Sequence, residues 1–444
     1  MTIWKRLASQ SAILFVARIC GAGLTFVAQA AIARTWGSTF LGDYLLIIAA
    51  VNLIAVVMPL GFETVGTYFA AEYRARGEGR LLRGFLVRAY GHVTVMALLL
   101  FLFGAPVAAQ FGEPGKVFSS HWVPACLLAF STALVFVTGS LLIGLKRPFA
   151  GLLADTIFRP MVVFGAFLVA FATATPDKSF DVLVWGVSLG MTAVALGQLF
   201  YLLRGVEEVP RLVPARTGEW RRWWRFAMPW VVITLASDFF FDLDLLVLSN
   251  LLSREDLAIF GVCARVFSLV SFGVAVVYSV TLPDMFESEA QDDRQGFYRK
   301  IGDANVVAAS LSVLLFFIVV IGAPIALMLF GPAFLAGVAP LAVLCLALVV
   351  RSVFGPSALV LSVQDRPYAA LPAIALGVAT LVAGNLLLAP RFGLMGAAIS
   401  ALLSIALWSG AQWFTVLRTA GVDVSIRARF MRRGAPIAMP HPAE

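Results

Sequence analysis

Long apolar segments alternate with short polar connections along almost the whole chain. A helix needs roughly 20 mostly apolar residues to cross a bilayer. Segments of this kind lie near residues 12–34, 39–61, 88–109, 122–144, 153–174, 182–204, 226–250, 257–281, 303–329, 338–362, 367–389 and 393–417. The pattern predicts an all-α integral membrane protein with about 12 transmembrane helices.

Composition supports the same class. The 444 residues are 61% hydrophobic and 13% charged, whereas soluble domains are about half apolar and a quarter charged. With three histidines in the chain, we expect no histidine-based catalysis, no metal site and no cofactor. The cysteines all lie in apolar runs, where buried free thiols are the expected state: Cys20, Cys126, Cys263 and Cys345.

The distribution of basic residues predicts the orientation. Cytoplasmic loops carry an excess of Lys and Arg, so we expect both termini in the cytoplasm of a bacterium, with the protein in its inner (cytoplasmic) membrane. The loops then expected outside carry few cations: Arg34, Lys116, Lys178, Arg254 and Arg391. This topology accounts for the net charge of +8 without a nucleic-acid partner. No loop is long enough for a soluble catalytic module, which argues against an enzyme.

The two halves of the chain have matching span spacing. Aligning span one with span seven places Leu41 over Leu257, each at the start of the second span of its half. Both halves begin on the same side, so they form parallel six-helix repeats, an arrangement that is common in transporters. We predict an N-terminal lobe over 1–210 and a C-terminal lobe over 211–444, around a central cavity, although a channel made of repeats also fits.

Polar residues inside the predicted spans are the candidate site. A charge at mid-bilayer costs about 2.5–3.5 kcal/mol on insertion scales, so each one needs a reason. On the first helix Arg18, Thr25 and Gln29 share a stripe about 40° wide that should face a wet interior. Because Arg18 is close to the predicted cytoplasmic end, its side chain could instead reach the membrane surface.

The seventh predicted helix is the most charged. Thr234, Asp238 and Asp242 fall on one ridge, with Asp244 on the opposite side. Similar depths permit pairing of Asp242 with Arg265 and of Asp238 with Arg351. These charges would either neutralise one another or form part of a polar cavity or a proton or sodium relay.

The segment 220–225 consists of three Trp and three Arg residues, a composition typical of a helix start in the headgroup region. We expect it to anchor the seventh span in the membrane surface. Binding of a lipid headgroup is the second interpretation.

Several motifs resemble those of polysaccharide biosynthesis flippases of the multidrug, oligosaccharidyl-lipid and polysaccharide exporter superfamily. They are spread over essentially the whole chain: 41–44 (LGDY), 59–62 (PLGF), 70–77 (AAEYRARG), 242–244 (DLD), 260–265 (FGVCAR), 385–388 (NLLL) and 390–400 (PRFGLMGAAIS).

The resemblance implies two six-helix lobes that move an undecaprenyl-pyrophosphate-linked oligosaccharide between leaflets by alternating access. It also implies a cationic cavity, for which Arg18, Arg265 and Arg351 are the candidates here. The implied partners are the lipid-linked glycan, membrane lipids and a coupling cation, proton or sodium; other polysaccharide assembly proteins are left open as further partners.

Four other functions are weighed against this one. A multidrug or organic-cation antiporter of the same superfamily would use Asp238 and Asp242 as cation sites. Flippases for the peptidoglycan lipid precursor commonly carry two extra helices that are not predicted here. A polysaccharide polymerase or ligase would have a long outward loop, and a passive scaffold would not need charged spans.

Overall fold

The computed structural model describes residues 3–210, 218–290, 294–363, 366–421 and 423–427. All the regular elements in these ranges are helical: α1 (Ile3–Trp36), α2 (Ser38–Val57), α3 (Phe62–Arg76), α4 (Gly79–Ala108), α5 (Gly112–Ser120), α6 (Trp122–Gly144), α7 (Pro148–Leu153), α8 (Arg159–Thr173), α9 (Ser179–Glu207), α10 (Glu219–Asp238), α11 (Phe240–Leu248), α12 (Arg254–Ala290), α13 (Arg294–Met328), α14 (Val338–Phe354), α15 (Ser357–Val363) and α16 (Leu371–Ala420). A π-helical turn, Ala154–Phe158, joins α7 to α8.

Ten helical stretches of the described residues are long and apolar enough to cross a membrane. The prediction of an all-α, multi-pass membrane protein is therefore confirmed. The exact number of twelve spans is not confirmed, and two regions account for the difference. The first is Tyr368–Thr419, which is one of the ten stretches but contains two helices. They are separated at Gly393, which has φ of 56° and ψ of −134°.

The other region is the predicted seventh span, which is two helices rather than one. α10 ends at Asp238 and α11 begins at Phe240, because Phe239 leaves the helical conformation with φ of −113° and ψ of 25°. The single ridge expected for Thr234, Asp238 and Asp242 is therefore wrong. Ser237 and Asp238 precede the break, and short polar side chains of this kind compete for backbone hydrogen bonds and weaken a helix.

A sharp turn separates α2 from α3. Proline at position 59 cannot donate a helical hydrogen bond, and Leu60 and Gly61 both take positive φ angles, 55° and 83°. A side chain at Gly61 would also collide with the carbonyl oxygen of Ala227 on α10. Only glycine satisfies both requirements here, so the turn brings α10 into direct backbone contact with the start of α3.

The chain forms two compact units, one ending at Ala258 and the other beginning at Ile259. The first unit contains α1 to α11. The lobe boundary predicted at 210/211 adjoins residues 211–217, which lie outside the described residues, and it stays a prediction. α10 and α11 belong to the predicted second lobe, yet they pack in the first unit against α2 and α3.

The second unit has its own core, in which α14 packs on α13 and on α16. Asn305 ties two segments together, since its Nδ2 donates to the carbonyl oxygen of Val424 at 2.9 Å and its Oδ1 accepts from Tyr278 at 2.7 Å. The four cysteines are free, and Cys126, Cys263 and Cys345 are buried, as predicted; the burial predicted for Cys20 is wrong, because its side chain lies on an exposed face of α1.

Candidate functional site

The stripe predicted on the first helix has three different environments. Arg18 is exposed, Thr25 is half-buried and Gln29 is 3% exposed. The Thr25 hydroxyl donates to the carbonyl oxygen of Gly21 in its own helix at 3.0 Å. Gln29 Oε1 has no hydrogen-bond partner in the described part of the chain. Within the stripe, Gln29 thus has a buried acceptor atom with unused hydrogen-bonding capacity.

The other predicted charges are divided between the two units. Asp238 is exposed at the end of α10, and Asp242 and Asp244 are buried on α11, all in the first unit. Arg265 is half-buried and Arg351 is exposed, both in the second unit. The pairing of Asp242 with Arg265 and that of Asp238 with Arg351 stay predictions.

Within the first unit, Asp242 belongs to a chain of polar contacts that we call the polar chain: Asp155, Arg159, Asn52 and Asp242. Arg159 donates to Asp155 Oδ1 at 3.1 Å and to Asn52 Oδ1 at 2.6 Å. The amide of Asn52 then donates from Nδ2 to Asp242 Oδ2 at 3.3 Å. The polar chain therefore connects the π-helical turn and α8 through α2 to α11.

The polar chain places charge inside an apolar unit without leaving it uncompensated. A guanidinium stands between two acceptors, and the buried amide uses both of its ends, which is the arrangement that makes buried polar groups tolerable. Asn52 occupies the middle of an apolar span, and this isolated polar residue was the available sequence signal for a contact that the sequence analysis missed.

A second polar contact lies where α3 meets α10. Glu63, in the first turn of α3, is 7% exposed, and its Oε1 accepts from the Thr64 hydroxyl at 3.2 Å. That hydroxyl also lies 3.2 Å from the hydroxyl of Thr234 on α10. Glu63 Oε2 is buried and has no hydrogen-bond partner among the described residues. Glu63 follows a turn and falls outside the predicted spans, so the hydropathy pattern gives no signal for it.

Farther along α3, five side chains form the α3-end cluster: Tyr68, Glu72, Tyr73, Arg222 and Trp223. Arg222 donates to both carboxylate oxygens of Glu72, at 2.8 and 3.1 Å, and to the Tyr68 hydroxyl at 3.2 Å. Trp223 Nε1 donates to the Tyr73 hydroxyl at 2.6 Å, and the indole is 4% exposed. Trp223 therefore packs within the protein, and the anchoring of segment 220–225 in the membrane surface stays a prediction.

At the opposite end of α2, four residues form the α5-end cluster: Asp43, Glu113, Asn250 and Arg254. Arg254 forms ion pairs with Asp43 and, at 2.7 Å, with Glu113 Oε2. The backbone N–H of Glu113 donates to Asn250 Oδ1 at 3.1 Å. Gly42 lies directly against the carbonyl oxygen of Arg254, where any side chain would collide. The segment after α11 is thus held to the start of α2 and to α5.

These contacts define what we call the helix seam, the contact of α2 and α3 with α10 and α11. It has the polar chain in its middle and a charged cluster near each end. The family described as polysaccharide biosynthesis protein matches residues 7–289, which contain the whole helix seam. The chain belongs to the polysaccharide biosynthesis protein family. The family recognised from the sequence motifs is thereby confirmed.

Solved structures with a similar fold are transporters. An inward-facing multidrug resistance MATE family transporter of the MOP superfamily has a TM-score of 0.76 at 13% identity, covering 94% of this chain and 99% of that one. The lipid II flippase MurJ in an inward closed conformation has a TM-score of 0.71 at 12% identity, covering 91% and 87%. A MOP superfamily transporter from Pyrococcus furiosus has a TM-score of 0.65 at 14% identity, covering 92% and 94%.

At these identities the likeness concerns the fold, which this member of the family shares with MOP superfamily transporters. A comparison with curated proteins finds no match.

Proposed function

We propose that this protein is a flippase for a lipid-linked oligosaccharide. It moves an undecaprenyl-pyrophosphate-linked repeat unit from the inner to the outer leaflet of the bacterial cytoplasmic membrane for polysaccharide biosynthesis. The observation that carries the proposal is the family match over residues 7–289, on a fold shared with a lipid II flippase. No catalytic step is part of this proposal.

The helix seam supports alternating access. α2 and α3 belong to the proposed N-terminal lobe, and α10 and α11 to the proposed C-terminal lobe. The contacts near the two ends of the seam are ion pairs and hydrogen bonds, which water can replace when they separate. We propose that one end opens at a time, so that the substrate meets one leaflet and then the other.

Arg18, Arg265 and Arg351 are the proposed contacts of the anionic pyrophosphate, with Thr25 and Gln29 beside Arg18. Arginine binds phosphate through two parallel hydrogen bonds, whereas lysine supplies charge alone. Alanine at each arginine should abolish export of the glycan, and lysine should retain part of it. Normal export with alanine at all three positions, at normal protein level, would exclude the headgroup role.

For the aspartates we propose two different roles. Asp242 is buried and hydrogen-bonded to Asn52, which supports a role in holding the helix seam together. Asp244, also buried on α11, is assigned to the same packing role. Asp238 is exposed at the break between α10 and α11, a position open to a coupling proton or sodium ion. Asparagine at Asp238 should impair coupling with normal protein level, whereas asparagine at Asp242 should lower the protein level.

A multidrug or organic-cation antiporter is the second candidate. It is favoured by the acidic residues of the first unit, Glu63, Asp238, Asp242 and Asp244, and by the fold shared with a MATE family transporter. In that function the acidic residues would bind the organic cation, and the arginines would have no direct part in transport.

Deletion of the gene in its own host distinguishes the two functions. A flippase defect should remove the surface polysaccharide and cause an undecaprenyl-pyrophosphate oligosaccharide to accumulate on the inner leaflet, with both effects reversed by the wild-type gene. Unchanged lipids and polysaccharide, combined with new sensitivity to cationic drugs, would contradict the flippase and establish the antiporter. Mass analysis of the accumulated lipid would also identify the glycan.

A further inference from the structure

Glu63 is a buried carboxyl of the helix seam, and the described contacts include no ion pair for it. Asp242 is joined through Asn52 to Arg159, and Glu72 is paired with Arg222. The carboxyl of Glu63 accepts from the Thr64 hydroxyl on Oε1 and interacts with the backbone N–H groups of Gly61 and Glu63, while Oε2 is buried without a hydrogen-bond partner among the described residues. An ionised carboxylate at this site is costly, because burial removes most of the hydration that stabilises its charge.

The surroundings of Glu63 are arranged around a proton rather than a metal ion. The hydroxyl oxygens of Thr64 and Thr234 are the neutral polar groups beside it, and hard cations such as Ca²⁺ take six to eight oxygen ligands. No group of three or more acidic, histidine or cysteine side chains suited to a metal ion occurs among the described residues. A single proton on Oε2 would neutralise the carboxyl and remove the cost of burying its charge.

We propose that Glu63 is a proton-binding residue of the helix seam and that its protonation controls the contact between α3 and α10. The inference rests on the proposed transport function for its role in coupling. Uptake places one proton on Oε2 and turns the carboxylate into a neutral acid. Release returns the proton to water and restores one negative charge at Glu63.

The charge that appears on release acts on α10. The elements packed against α3 are α4, α6 and α10. Of their ionisable groups, Asp238 on α10 interacts with Glu63 as a like charge. His92 on α4 contacts the neighbouring Phe62, at 4.7 Å between ring centres, and α6 carries one ionisable group, Cys126. Repulsion between Glu63 and Asp238 therefore weakens the contact of α3 with α10 when the proton leaves.

The ionisation equilibrium fits a proton site that works near neutral pH. α3 lies between the candidate spans Ser38–Val57 and Gly79–Ser120. Burial raises the pKa of Glu63 to about 7, and the charge of Asp238 adds to the rise. A group with this pKa changes its state with modest changes in pH on either side of the membrane.

The test is infrared difference spectroscopy of the purified full-length protein in lipid, titrated from about pH 5 to about pH 9. We expect the carbonyl stretch of a protonated acid to disappear with a midpoint near pH 7. This component should be absent in Glu63→Gln. It should persist in Glu207→Gln, the same change at an exposed helix end.

A titrating band that is unchanged in Glu63→Gln would overturn the proposal. If that variant does not fold, Glu63→Asp is the alternative, because it keeps an acid but shortens the side chain by one methylene. The midpoint should then move by at least about half a pH unit. An unchanged midpoint in Glu63→Asp would also overturn the proposal. A midpoint that is lower in sodium chloride than in potassium chloride would assign the site to sodium instead.

The spectroscopic result does not depend on the substrate. Normal surface polysaccharide in the deletion strain would contradict the flippase function but would not affect the proposal of a proton site at Glu63. A missing titration with an accumulated lipid-linked oligosaccharide would reject the proton site alone.

Discussion

The two ends of the helix seam use the same chemistry in different surroundings. In the α3-end cluster, the side chains of Glu72 and Arg222 are 8% and 29% exposed, and the Arg222 guanidinium lies over the Phe69 ring. In the α5-end cluster, Asp43, Glu113 and Arg254 are 25%, 40% and 30% exposed. Both ends depend on an arginine that binds carboxylates, but only the first holds a largely buried carboxylate.

This difference predicts unequal strength. A buried carboxylate that loses its partner is left without water, so the loss is costly. An exposed ion pair contributes about 1 kcal/mol or less to the stability of the protein, and salt screens it. We therefore expect the α3 end to separate when Glu63 loses its proton, and the α5 end to respond to ionic strength.

The largest expected effect is the pH dependence caused by Glu63. Its pKa is about 7 in the folded protein, above the ordinary value of 4.5. Between these values the folded state holds a proton that the unfolded chain has lost, so stability falls as pH rises and levels off above about pH 7. Across this pH window the free energy of unfolding should fall by about 3 kcal/mol. The apparent Tm of wild type should decline across it, and that of Glu63→Gln should be flatter; parallel profiles would contradict the assignment.

Arg222→Ala should have the next largest effect. It removes the bidentate partner of Glu72, which keeps one contact with Arg76 at 2.6 Å. We expect a loss of about 2 kcal/mol, seen as a lower apparent Tm of the protein in detergent. Arg225→Ala, an exposed arginine on the same helix, is the matched control and should change the apparent Tm little. Equal shifts in the two variants would show that the α3-end cluster is not a stabilising contact.

Arg254→Gln should have the smallest effect. The α5-end cluster is partly solvated, so we expect a loss of about 1 kcal/mol or less, which decreases further as salt is raised. Arg391→Gln, at an exposed site, is the control. A loss that exceeds that of Arg222→Ala, or that is insensitive to salt, would reverse the ranking of the two ends.

Hydropathy and motif spacing were sufficient for the fold class and the family, because both follow from the order of residues along the chain. Contacts were harder to predict. Depth in the membrane suggested Arg265, on α12, as the partner of Asp242. Within its own unit Asp242 contacts Asn52 on α2. Depth alone does not specify which neighbouring helix faces a residue. The burial of Trp223 depends on packing of α10 against α3, which local sequence does not reveal.

The most direct test of the account is to fix each end of the helix seam chemically. One variant would have cysteine in place of both Glu72 and Arg222, and a second would have cysteine in place of both Asp43 and Arg254. Both would be made in a Cys20→Ser background, because Cys20 is exposed and the other cysteines are buried. Cells of the deletion strain carrying each pair would be treated with a short, reducible bifunctional thiol reagent, and surface polysaccharide would be measured. Single-cysteine variants treated in the same way are the controls.

Alternating access along the helix seam predicts that a cross-link at either end stops export of the polysaccharide and that reduction restores it. Export at the normal rate with complete cross-linking at either end would contradict the account.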